Sequence, residues 1–128
     1  MSRKRYVVII CAAVFALAAR PAQGPELAEV MQQKLVHAQK ILAAVVTSDW
    51  TLLETESRKL DELTKDPRWM VLTFPEYAKY SAAFVRASQN LRRAAVQRDL
   101  EETPKAYVEV TLKCVECHRY LARARIAR

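Results

Sequence analysis

A single glycine in 128 residues, Gly24, is the strongest constraint on what this chain folds into. Tight hairpin turns need positive φ, and nucleotide-binding loops need backbone close to phosphate; both demands fall on glycine. One glycine near the N-terminus serves neither, so β-sandwiches, barrels and phosphate-cradling α/β folds are excluded. With 52% hydrophobic and 27% charged residues, the remaining reading is one all-helical domain.

The first residues read as an address. Arg3, Lys4 and Arg5 precede thirteen uncharged residues, Val7 to Ala19, which end at Arg20 and Pro21. Thirteen falls short of the roughly 20 needed to span a bilayer as a helix but suits the apolar region of a signal peptide. Ala16-Leu17-Ala18 supplies a small-x-small cleavage site, so residues 1–18 are expected to be a signal peptide, with cleavage between 18 and 24. An uncleaved N-terminal anchor is the alternative. Export implies a periplasmic protein, in a compartment where free thiols tend to be oxidised unless they are covalently occupied. The leader carries three of the positive charges and Cys11, so the formal +7 becomes +4 and three cysteines become two.

From residue 25 to 128 the periodicity predicts four amphipathic helices. The first follows Pro25, with Leu27, Val30, Met31, Leu35, Ala38, Ile41, Leu42 and Val45 on one face, and ends near Thr47. Ser48 or Asp49 caps a second, carrying Trp50, Leu53, Ser57, Leu60 and Leu63 and stopping at Asp66-Pro67. Thr73 with Glu76 reads as a capping box opening a third, whose inner positions are Tyr77, Tyr80, Phe84, Ala87, Leu91 and Ala94. Thr103 before Pro104 opens a fourth, with Tyr107, Val110, Cys114, Cys117 and Leu121 on its seam. Short connections around residues 47–49 and 98–103, within the first pair and within the second, predict an antiparallel up-down-up-down four-helix bundle, with a longer stretch from Asp66 to Thr73 between the pairs.

The chemistry lies in residues 114–118, Cys-Val-Glu-Cys-His, the C-x-x-C-H pattern of covalent c-type haem attachment. On a helix, Cys114, Cys117 and His118 stand at i, i+3 and i+4 and share a face. Two thiols can then form thioethers with the two vinyl groups while the imidazole reaches the iron. The plainer reading is two core cysteines beside an edge histidine. A thioredoxin-like pair would open a helix after a strand, and no strand is predicted; a structural zinc wants four ligands, and His37 is the one other strong candidate.

Ten residues follow His118 and none is methionine, so any protein ligand on the far side of the iron comes from upstream. The candidates are Met31, Met70 and His37, with water or an empty position as alternatives. In an antiparallel bundle, Met31 lies about 9 Å along helix 1, level with His118 near the end of helix 4, and His37 about 9 Å deeper. His37 stands nearer the edge of the apolar face and reads as a partly exposed surface residue. Trp69, Phe74 and Tyr77 gather at the same end, where they could wall a haem from solvent or simply pack.

With Cys114-Val115-Glu116-Cys117-His118 near the C-terminus and a Met31-bearing first helix, the chain resembles the class II c-type cytochromes, the cytochrome c′ and cytochrome c556 group. It is also similar to the b-type four-helix cytochrome, whose haem lies between a helix 1 methionine and a helix 4 histidine. The resemblance implies one haem c joined to Cys114 and Cys117 and ligated by His118. It implies either a methionine-ligated electron carrier or a five-coordinate iron that binds NO or CO. The family usually has an aromatic three residues past the histidine and a basic residue next; here Tyr120 comes two past and Arg123 five past.

An exported one-electron carrier is therefore the expected function, with Met31 opposite His118, and a gas-binding haem protein is the alternative. Lys113, Arg119, Arg123, Arg125 and Arg128 cluster near the haem end and could steer an acidic redox partner, or merely complement the helix dipole. No nucleophile, base and acid constellation is visible, so no enzyme is expected. The aromatics lie on inner faces and the charge is modest, so nucleic acid is not an expected partner. A homodimer would fit the family.

Overall fold

The computed structural model describes residues 24–124. The expected leader, and Arg125 and Arg128 of the basic tail, lie outside the described residues. Within them the chain forms four helices and no strand: α1 (Pro25–Thr47), α2 (Trp50–Leu63), α3 (Pro75–Gln97) and α4 (Glu102–Arg123).

Each helix packs on the next in sequence, while α1 meets α4 over a far smaller area. Val30 and Ile41 of α1, Leu53 and Leu60 of α2, Tyr77 and Leu91 of α3, and Val110 of α4 are fully buried and make one core. Burying each such side chain stabilises the fold by ~2 kcal/mol. Polar pairs link neighbouring helices: His37 with Glu56 between α1 and α2, Arg92 with Asp61 and Arg98 with Glu54 between α2 and α3. Arg68, after α2, reaches Glu29 of α1 at 3.2 Å.

The two short connections use the same turn. Ser48 (φ 54°) and Arg98 (φ 53°) end α1 and α3 in the left-handed conformation. In each, the next residue is an aspartate whose N–H donates to a carbonyl five residues back, Asp49 to Ala44 at 3.0 Å and Asp99 to Ala94 at 3.1 Å. That bond closes the helix end where glycine would ordinarily sit. Each aspartate then caps the helix that follows: Asp49 Oδ1 accepts from Leu52 N–H, and Asp99 Oδ1 accepts from Glu101 and Glu102 N–H. Asp49→Ala should therefore lower stability by ~1 kcal/mol, read as a fall in the denaturation midpoint with unchanged slope.

Several expected details differ. Phe74, not Thr73, precedes α3, with Pro75 at its first position, and no side chain caps it. Proline removes an N–H that would otherwise need a cap, so the Thr73–Glu76 box is not formed. At α4, Asp99 caps from further upstream, and the helix already runs from Glu102; Thr103 is buried inside it. The second helix ends at Leu63, and a run of turns through Trp69 follows. Leu35 and Leu42 are exposed, because α1 and α4 stand apart on that side. No described helix is long and apolar enough to cross a membrane.

Candidate functional site

Where α1 and α4 part, a cavity of about 520 Å³ opens between them. The α1 wall is made by Ala28, Met31, Gln32, Lys34, Leu35 and Ala38, and the α4 wall by Val110, Cys114, Val115 and His118. Leu60 of α2 and Phe84 of α3 close the inner side. Helical spacing explains both walls: 28, 31, 35 and 38 repeat at three and four residues, as do 110, 114 and 118. Nearly all the lining is hydrocarbon, and the volume is that of an organic-ligand site.

Cys114 and His118 face this cavity together, one turn apart on α4. Cys117 lies beside them, half-buried and packed against the core. Both sulfurs are free thiols. Burial pushes both thiols above their ordinary range; the Lys34 charge pulls the other way, and the Cys117 thiol adds to the rise at Cys114. At neutral pH they are therefore protonated rather than thiolate.

Of the upstream candidates, Met31 is half-buried and lines the cavity facing Cys114 and His118. Met70 is 52% exposed on the connection between α2 and α3 and does not line it. His37 points to the other side of α1, where its Nδ1 lies 2.6 Å from Glu56 Oε2. Glu56 is itself buried and also accepts from Lys59 at 2.9 Å. Burial raises its carboxyl, but the bonds from Lys59 and His37 prevail and hold it below the usual carboxylate range.

Trp69 and Tyr77 are buried behind the cavity rather than on its wall. The Trp69 ring meets Phe84 edge-on at 5.6 Å, and Tyr77 Oη donates to the Trp69 carbonyl at 2.5 Å. Burial, with the nearby Cys117 sulfur, pushes the Tyr77 phenol up to about 12. Phe74 stacks at an angle on Tyr77 and Tyr120, joining the start of α3 to the end of α4. On the outer face of α4, Lys113 pairs with Glu116 at 3.2 Å, so part of the basic cluster is locally neutralised.

Ala28, Gln32 and Lys34 of this site escaped the sequence reading, and Lys34 is the one with chemistry to offer. Lys34 is 8% exposed, lines the cavity, and holds its Nζ 3.1 Å from the centroid of Trp69 and 4.4 Å from that of Phe84. Burial pulls its pKa down to about 7, although the Cys114 and Cys117 thiols act to raise it. The signal was available: the inner stripe of α1 runs 27, 30, 34, 41, 44, and a lysine on that stripe must either snorkel or be held inside.

Comparison with models of known protein families, with curated proteins and with solved structures returns no match for this chain.

Proposed function

We propose that the chain is an exported c-type cytochrome, a one-electron carrier with one haem held in the α1–α4 cleft. The observation that carries this reading is the cleft itself: an apolar cavity of about 520 Å³ with Cys114 and His118 on one wall and Met31 on the other. A four-helix core with one interface open on that side has room for a flat apolar ring, and Cys114 and His118 of the tethering motif line the gap, with Cys117 packed beside it. The pairs 37 with 56 and 29 with 68, and 61 with 92 and 54 with 98, support antiparallel courses of α1 with α2 and of α2 with α3, since the partners step in opposite directions.

In this reading Cys114 and Cys117 would hold the group through thioethers, and His118 and Met31 would supply a nitrogen and a sulfur to its iron. A bound haem would supply a one-electron iron couple, and ligation by methionine and histidine would raise its potential. The residues around it exclude water: Ala28, Leu35, Ala38, Val110 and Val115 offer no hydrogen bond, and Phe84 and Leu60 seal the floor. A rigid apolar wall limits the rearrangement that accompanies a change of charge. Arg119 and Arg123 on the last turns of α4 suit an acidic redox partner.

Haem should remain with the polypeptide after denaturing electrophoresis, and Cys114→Ala with Cys117→Ala should abolish it. The oxidised and reduced spectra then separate two outcomes. A sulfur-ligated, low-spin iron whose sulfur-to-iron band disappears in Met31→Ala fits the carrier. A high-spin ferrous iron that binds CO readily would make the chain a gas-binding protein instead.

A further inference from the structure

The carrier reading leaves Lys34 without a task, yet its burial demands one. An ammonium removed from water is costly unless a carboxylate or another strong partner meets it. The ionisable neighbours acting on Lys34 are the Cys114 and Cys117 thiols, not carboxylates, and its closest contacts are the faces of Trp69 and Phe84. Aromatic faces attract a cation, but they also suit a neutral amine, and they hold Nζ on the inner side of the cavity.

Position gives that amine its chemistry. Lys34 and Met31 are one turn apart on the same wall, facing the wall that carries His118. Of the side chains that α1 gives to this cavity, the Met31 thioether and the Lys34 amine are the two that bind a transition metal well; Gln32 offers only an amide. Burial pulls its pKa down to about 7, so Lys34 gives up its proton far more readily than an exposed lysine does. Its four-carbon stem lets Nζ leave the Trp69 face without moving the backbone.

We propose that Lys34 is a second donor of the distal wall, its amine taking the iron position opposite His118 whenever the Met31 thioether does not. The inference rests on the haem reading above. Binding uses the nitrogen lone pair, the ammonium proton passes to solvent, and the iron keeps its oxidation state. The consequence is that loss of the methionine ligand, as in Met31→Ala, would leave the iron six-coordinate and closed to gases.

The test compares holoprotein variants by electron paramagnetic resonance, absorption and CO binding, with helical circular dichroism as the check on folding. Met31→Ala should lose the sulfur-to-iron band but stay low-spin, with the signature of two nitrogen ligands. Met31→Ala with Lys34→Leu should become high-spin and bind CO at least tenfold faster than Met31→Ala alone. Met31→Ala with Lys34→Gln repeats the comparison with a side chain of similar reach. A high-spin Met31→Ala variant that binds CO as fast as both double variants overturns the Lys34 role while leaving the haem reading intact. Wild-type chain that carries no haem after denaturing electrophoresis overturns both.

Discussion

Stability of the cofactor-free chain should rise as pH increases from about 7 to about 10, and this rise should vanish in Lys34→Leu. The protein to use is Cys114→Ala with Cys117→Ala, which removes haem attachment together with the two thiol titrations. Lys34 ordinarily titrates at 10.5 and is pulled to about 7 in the fold by burial. Between those values the unfolded chain binds a proton that the folded chain does not, so raising the pH favours the folded state. A separation of that size corresponds to about 5 kcal/mol, and the Trp69 and Phe84 faces return about 2 kcal/mol by favouring the ammonium. A rise of about 3 kcal/mol is expected from urea denaturation across this range. Tyr77 acts with the opposite sign above pH 10: burial pushes its folded phenol up even without the Cys117 contribution, so the unfolded chain ionises first and stability falls. The profile should therefore peak near pH 10, and a flat profile between 7 and 10 in the cysteine double variant that keeps Lys34 would mean that Lys34 leaves the interior.

The same residue marks the boundary of what the sequence discloses. Spacing found the four helices, the inner positions of α3 and the seam of α4, because in those segments apolar residues recur every three or four places without interruption. On α1 two stripes compete. Leu35 and Leu42 share an apolar stripe, yet both are exposed, Leu35 at the cleft, while Lys34 lies buried in the stripe defined by Val30 and Ile41. Hydropathy could not rank them, since the choice depends on how widely α1 stands from α4, a property of the assembled bundle. Caps were half legible. Asp49 acts where a cap was expected, but Ser48 and Arg98 take left-handed geometry without glycine, at ~1 kcal/mol each. Nothing local predicts that; the tertiary contacts of the paired helices hold the turn. The cavity lined by Cys114, His118 and Met31 was foreseeable because all three follow from helical phase. Trp69 and Tyr77 share a neighbourhood with the site in sequence but not a wall with it, since the Trp69 ring turns inward onto Phe84.

Trp69→Ala should be among the most damaging single substitutions, costing ~4 kcal/mol by denaturant titration. Trp69 is 3% exposed although it belongs to the connection between α2 and α3, a segment whose next residues, Met70 and Val71, are both more than half exposed. Its ring is therefore the anchor that draws this connection onto the core, in contact with Phe84 and with the Lys34 Nζ. Alanine would forfeit the ring's burial and leave a void that the surrounding helices can fill only by closing the cavity. The bond from Tyr77 Oη to residue 69 goes to a carbonyl, so alanine removes it only if the connection itself comes loose. Faster proteolysis between residues 64 and 74 would report that loosening, and Trp69→Phe, which keeps an aromatic face, should recover more than half of the loss. A double-mutant cycle isolates the cation contact: Trp69→Ala and Lys34→Leu together should cost ~1–2 kcal/mol less than the sum of the two alone. Strict additivity would mean that the amine does not rest on the indole, and with it would go the reason for Lys34 to stay on the cavity wall facing His118.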